Sequence, residues 1–342
     1  MMNYNPVTAL AIFGIVSFLL FLIFRPEKGW LWKWKKTSKS GGKTLTEDIL
    51  KQMYHLEDSG KTADIHILRD ALKVNEGKLV YILSRMAAKD LLHIERDRLI
   101  LTKSGKEYAL SIIRTHRLWE KYLAERTGYD QREWHKQAEK MEHLLSKEET
   151  EKLAEKLGNP IYDPHGDPIP SPKGKTAEFK GIPLSRLSKG TKGRIIHLED
   201  EPYHIYEQIL KRNITIDSLI KVEENDKNRI VFYSEGEYFT LSPAVAENIT
   251  VSVIKDEDFK DPGYFRLSRL KEKERARVVS ISKEMRGESR RRLLDLGFVK
   301  GTPIKVDLKS PMGNTKAYLV KGTSIALRED QASKILVKKE KV

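Results

Sequence analysis

Six side chains in the middle of the chain have the types and spacing to hold a metal ion. His116 and Glu120 stand four residues apart, and His135, Glu139, Glu142 and His143 recur at i, i+4, i+7 and i+8. On an α-helix each set shares one face. Imidazole and carboxylate without thiolate suit Mn2+ or Fe2+, with Zn2+ and Co2+ as further candidates. The chain contains no cysteine, which excludes disulfides, thiolate zinc sites and cysteine nucleophiles. The competing reading of the stripe is a solvated polar helix face. No nucleophile–base pair, phosphate loop or glycine fingerprint accompanies it, so the pattern does not point to an enzyme.

The elements that must position these residues are amphipathic helices over 106–125 and 131–145 and a charged helix over 147–157. The Pro/Gly stretch that follows, GNPIYDPHGDPIPSPKGK, breaks further helix. Before them, Ile49, Leu50, Met53, Tyr54 and Leu56 form an apolar stripe at helical spacing, with Gly60 as its stop. Ile65–Leu72 reads as a second helix, and Asn75 as the N-cap of a third that runs to Lys89. LLHIERDRLILTKSGKEYA then reads as two short strands around the turn Glu95–Arg98. Three helices and a β-wing are the layout of a winged helix-turn-helix. In that layout the helix Glu76–Lys89 would read base edges through Lys78, Tyr81, Ser84 and Arg85. Arg96, Arg98 and Lys103 in and beside the wing would grip phosphate. A winged domain that has lost DNA and serves as a dimer scaffold is the competing reading, because residues 41–110 carry 12 basic against 11 acidic side chains.

Charge is unevenly spread along the 342 residues, whose net charge is +14. Residues 25–40 hold 6 basic and 1 acidic side chain, and 111–182 hold 13 of each. Residues 183–264 hold 11 basic and 15 acidic, and 265–342 hold 21 and 9. The first excess follows a charge-free apolar run, Pro6–Phe24, of nearly the length a helix needs to cross a bilayer. Arg25, Lys28, Lys33, Lys35 and Lys36 follow at once, with Trp30, Trp32 and Trp34 among them. This predicts a single-pass anchor in the cell (inner) membrane, with the C-terminal domains on the cytoplasmic side. The Ser/Gly/Lys-rich residues 37–44 read as a flexible linker.

Beyond residue 180 the chain repeats itself. Leu184-Ser185-Arg186-Leu187 recurs as Leu267-Ser268-Arg269-Leu270, and GRIIHL (193–198) as ARVVSI (276–281). Each copy continues with a helix and strand-like runs, which predicts two tandem small β-barrels with one helix each. The basic bias of the second copy suits anionic lipid, DNA phosphate or an acidic protein face.

Residues 45–171 resemble the iron-dependent (diphtheria toxin) repressor family and its manganese-responsive branch. The motifs that carry the likeness are TEDIL-x3-YHLE (46–57), RTHRLWEKYL (114–123), HKQAEKMEH (135–143) and PHGDPIP (164–170). Residues 265–338 resemble FeoA, the small SH3-like partner of the ferrous-iron transporter, through LSRLKEKERARVVSI, SRRRLLDLGFVKGTPIKV and ALREDQASKILV. Residues 183–254 resemble it more weakly. The resemblance implies a primary metal site of Asp48, Glu139, Glu142 and His143. An adjoining site would use His116, Glu120 and His135, with His116 serving both. Glu139 stands where iron sensors carry cysteine, and Lys51 departs from the acidic residue common in manganese sensors. The barrel after the ligand helices can lend donors in this family, and Glu199, Asp200, Glu201 and Glu207 are the candidates. The first barrel also carries His197 and His204.

The expected fold class is therefore α+β and multidomain. Its parts are a transmembrane anchor (1–26), a basic linker (27–44), a winged helix-turn-helix (45–110), a helical metal-binding and dimerisation domain (111–172) and two SH3-like barrels (183–254 and 265–338). The implied function is a metal-dependent transcriptional regulator that binds DNA as a homodimer. The alternative is a membrane-associated accessory protein for ferrous-iron or manganese transport, with a transporter as its partner.

Overall fold

The computed structural model describes residues 30–96, 98–177, 180–259, 263–272, 274–282, 285, 287–310 and 314–340. The chain divides into two compact units, residues 1–113 and 114–342. The division falls inside the longest helix after the first.

Among its described residues the first unit has α1 (Trp30–Asp58), then α2 (Ile65–Leu72) and α3 (Glu76–Ala88). A two-stranded wing follows, β1 (Leu92–Glu95) and β2 (Arg98–Leu101), and then the start of α4 (Lys103–Arg126). Ile49, Leu50 and Met53 are fully buried, and Tyr54 and Leu56 pack partly buried against the same core. The Asn75 side chain accepts a hydrogen bond from the Gly77 N–H and so caps α3. Gly60 sits at φ +71, just past the end of α1. Gly105 lets α4 begin tight against the wing, since a Cβ there would lie 1.9 Å from the Leu91 carbonyl oxygen.

Two expectations are corrected here. Residues 37–44 form no flexible linker; α1 runs through them without interruption, and Thr46 Oγ1 donates to the Gly42 carbonyl inside it. The transmembrane helix of the expected fold class, and the single-pass membrane location with it, is not borne out by the described residues. Among the described residues no helix is long and apolar enough to cross a membrane. The helix α1 has the length, but Lys33, Lys35, Lys36, Lys39, Lys43, Glu47, Asp48 and Lys51 interrupt any apolar span. The run Pro6–Phe24, on which that expectation rested, lies outside the described residues.

The second unit holds the rest of α4, then α5 (Gln131–Glu142) and α6 (Lys147–Lys156). Ser146 and Glu149 close α6 with a reciprocal capping box. Arg114 fixes the set by donating to both Glu151 carboxylate oxygens, at 2.9 and 2.8 Å, and to the Pro170 carbonyl at 2.7 Å. The first barrel comprises β3 (Ile182–Pro183), β4 (Lys192–Leu198), α7 (Tyr203–Lys211), β5 (Leu219–Asn225), β6 (Ile230–Ser234), β7 (Glu237–Leu241), α8 (Pro243–Glu247) and β8 (Ile249–Val253). The second comprises β9 (Phe265–Arg266), β10 (Arg275–Ile281), α9 (Gly287–Asp295), β11 (Pro303–Lys309), β12 (Thr315–Val320), β13 (Thr323–Arg328), α10 (Glu329–Ala332) and β14 (Ile335–Lys339).

The internal repeat is a repeat of topology. The strand orders β7-β6-β5-β4-β8-β3 and β13-β12-β11-β10-β14-β9 coincide copy for copy. Even the irregular rungs recur, at Ile195/His197 and Val278/Ser280 and again at Val222/Glu224 and Val306/Leu308. Gly297, at φ +95, turns the chain after α9 so that Phe298 can enter the second core, where it is fully buried. The barrels are joined by a buried pair, Arg266 with Glu235, at 2.6 Å.

Candidate metal centre

The ligand-type side chains of the second unit converge from four elements. Helix α4 brings His116 and Glu120, and α5 brings His135. The 158–171 segment brings His165, and the chain just after β4 brings Asp200. His116 Nε2 lies 3.1 Å from Glu120 Oε1, and His135 Nδ1 lies 3.4 Å from the same oxygen. Asp200 Oδ2 is 3.1 Å from His135 Nδ1, and His165 Nε2 is 3.9 Å from Glu120 Oε1. Two overlapping sets result, His116–Glu120–His135 and Glu120–His165–Asp200.

These atoms fit a small divalent ion. Donors about 2.1 Å from one ion stand roughly 3 Å from each other, close to the shorter separations here. Glu120 Oε1, His135 Nδ1 and His165 Nε2 are buried and make no hydrogen bond. Buried polar atoms are otherwise almost always satisfied. Three such atoms aimed at one region are what a cation site requires.

The electrostatics agree. Burial alone would raise the Glu120 carboxyl, but the charge of the facing His116 and the nearness of His135 hold it well below its ordinary value. Burial would lower His135, but the facing carboxylates of Asp200, Glu120, Glu139 and Glu201 hold it above its ordinary value. The Asp200 carboxyl is lowered, burial being outweighed by the His135 imidazole that faces it. With no cation present these groups share protons. A cation displaces them, so its affinity falls as pH drops.

His116 connects this cluster to a second one. Its Nδ1 is hydrogen-bonded to Glu142 Oε2, and the other Glu142 oxygen lies 3.5 Å from His143 Nε2. Glu142 is buried and His143 half-buried. The exposed Glu139 carboxylate lies 3.6 Å from His135 Nε2, toward the first cluster. Asp48 belongs to the first unit, on α1, where it is half-buried.

His165 was not legible as a ligand, because no helical spacing links it to the others. A local turn positions it. Asp163 Oδ1 accepts the backbone N–H groups of both His165 and Asp167, and Tyr206 Oη meets His165 Nδ1 at 2.9 Å. The His165 carbonyl accepts the Leu198 N–H at 3.0 Å, which fastens this turn to the first barrel. Of the barrel candidates, Asp200 alone enters a ligand set. Glu201 lies 3.5 Å from His135 Nε2, and Glu199 is pushed up to about 7 by burial beside Asp167. His197 faces Asp167 instead, at 3.3 Å, while His204 is exposed.

Gly166 makes the close approach of turn and barrel feasible. It sits at φ +93, and a Cβ would lie 2.1 Å from the Ile196 carbonyl oxygen. Gly166→Ala should therefore cost at least about 1 kcal/mol in urea unfolding and weaken Mn2+ binding through His165. Parental stability in the variant would refute this positioning role.

Residues 102–171 match the family described as "Iron dependent repressor, metal binding and dimerisation domain", and 182–253 and 265–339 each match the FeoA domain. The chain carries an iron-dependent repressor metal-binding domain followed by two FeoA domains. Among similar proteins is the iron-dependent repressor IdeR of Mycobacterium leprae, 26% identical over 61% of this chain and 97% of its own length. Another is a probable metal transport system membrane protein of Chlamydia trachomatis, 31% identical over 48% of this chain but 38% of its own length. A solved manganese-dependent transcriptional repressor in complex with manganese superposes with a TM-score of 0.57 at 27% identity, covering 61% of this chain and 100% of that one.

Ahead of the repressor metal-binding domain, Lys78, Tyr81, Ser84 and Arg85 all lie exposed on α3. The Arg85 guanidinium sits 5.8 Å from the Tyr81 ring centre, and Ser84 Oγ donates to the Val80 carbonyl. Arg96 and Arg98 are exposed in the wing, and Lys103 is exposed at the first residue of α4.

Proposed function

We propose that this chain is a metal-dependent transcriptional regulator that binds DNA as a homodimer when Mn2+ or Fe2+ is held by its ligand helices. The observation that carries the reading is Glu120 Oε1: buried, without a hydrogen bond, and faced by His116, His135 and His165. His116, Glu120 and His135 would hold one ion, and Glu120, His165 and Asp200 form the overlapping donor set beside it. The ion supplies the positive charge that lets two carboxylates stay ionised in a buried place. Glu142 and His143 are the proposed donors of a second ligand set, to which the family resemblance adds Glu139. Lys78, Tyr81, Ser84 and Arg85 would meet base edges, and Arg96, Arg98 and Lys103 the phosphates.

The regulator reading is also supported by the alignment to IdeR along nearly that protein's whole length. The match to the transport protein spans 38% of that protein, and the transporter-accessory alternative is dropped. Gel retardation of the full chain on the DNA upstream of its own gene tests the reading. Retardation that requires Mn2+ or Fe2+ and disappears in Glu120→Ala is expected. No retardation with either metal would sink it.

A further inference from the structure

The two FeoA domains share one ladder but not one surface. In the second barrel the register sets Arg275 directly opposite Lys305 and Arg277 directly opposite Lys338. Strand β10 lies between β11 and β14, so the four cations form a continuous patch across three neighbouring strands. The alternation of β10, exposed at 275 and 277 and buried at 276 and 278, turns both arginines outward. Lys305 and Lys338 are exposed as well. Like charges directly opposite in a sheet repel. Arg277 has Glu340 at 2.6 Å, but among the described residues Arg275, Lys305 and Lys338 have no ion-pair partner.

The first barrel shows what the same positions look like when neutralised. Lys192 and Lys221 are the matching cross-strand pair, and each has a carboxylate: Asp256 at 3.0 Å and Glu223 at 2.8 Å. Arg194 faces Ser252 where Arg277 faces Lys338. Residues 183–264 carry 11 basic and 15 acidic side chains, and 265–342 carry 21 and 9. The second copy thus concentrates unbalanced cations on an outer sheet face that the fold does not need for its core.

We infer that the outer face of β14, β10 and β11 in the second FeoA domain is a contact surface for the phosphate backbone of duplex DNA. This rests on the DNA-binding reading above, and charge complementarity selects the occupant. Phosphate neutralisation normally supplies much of a DNA-binding protein's affinity. Residues 41–110, which would read the bases, hold 12 basic against 11 acidic side chains and cannot supply it by net charge. The second barrel can. Its contacts add affinity on any sequence and leave base specificity to α3.

The test uses the full chain with Mn2+ and two duplexes, the DNA upstream of its own gene and one of scrambled sequence. The variant is Arg275→Gln/Lys305→Gln/Lys338→Gln. It should weaken binding to both duplexes by a similar factor and flatten the plot of log K against log salt by about 2.7, roughly 0.9 per lost phosphate contact. Its melting temperature at low salt should equal or exceed the parent's, because like-charge neighbours are removed. If the parent binds in a metal-dependent way and the variant keeps its salt slope, this inference falls while the regulator reading stands. If the parent binds neither duplex with Mn2+ or Fe2+, the regulator reading falls first. A variant that loses binding to an acidic protein or RNA instead, with the DNA slope unchanged, also overturns the DNA assignment.

Discussion

In a calorimetric titration with Mn2+, His116→Ala is expected to bind at least about a hundredfold more weakly than the parent chain, whereas His204→Ala binds equally well. Loss of an outer partner of a metal ligand alone costs 10–100-fold, and His116 is more than an outer partner. Its Nε2 faces the Glu120 set and its Nδ1 is hydrogen-bonded to Glu142. Removing it deletes a donor from one set and the partner of a buried carboxylate in the other. His204, in the same barrel as Asp200 but exposed, belongs to no set. A His116→Ala chain that folds, by circular dichroism, and keeps parental affinity would show that the ion does not use this imidazole.

The second large effect is on stability. Arg266→Ala should lower the unfolding free energy by about 3–5 kcal/mol, the usual result of removing one partner from a buried ion pair. The side chains of Arg266 and Glu235 are only 4% and 9% exposed. Arg266 also donates to the Ser333 carbonyl at 2.8 Å and to the Asn213 carbonyl at 2.6 Å. Its guanidinium therefore ties its own barrel to two loops of the other. Urea unfolding gives the magnitude, and limited proteolysis between residues 254 and 264 gives the location. A loss under about 1 kcal/mol, with no new cleavage there, would mean that the barrels are held together by something else.

Helical periodicity made most of the architecture readable in advance. The stripe Ile49–Leu50–Met53 and the Asn75 cap both stand as the sequence implies, because each depends on residues within a turn or two of itself. The repeat was visible for the same reason: the two copies share their short motifs, and the ladder with its irregular rungs follows from them. At the candidate metal centre, spacing marked His116, Glu120 and His135 as ligand-type residues on helix faces and the family resemblance grouped them, while neither pointed to His165 or to the choice of Asp200. Those two reach the cluster by tertiary folding of an irregular segment onto a barrel, and no local period encodes that. The residues 37–44 misled in the other direction. Two glycines and two serines suggest a linker, yet each glycine costs a helix only about 1 kcal/mol, and α1 continues through them.

The imidazole of His116 has one consequence for how the protein would respond to rising metal. A neutral ring carries a single proton. If Nε2 is engaged by a cation beside Glu120, that proton stays on Nδ1 and is directed at Glu142. The two clusters therefore cannot fill in ignorance of each other: occupation of the first sets the tautomer that the second must accept. Such a chain would not answer a change in ion supply as two independent pockets would.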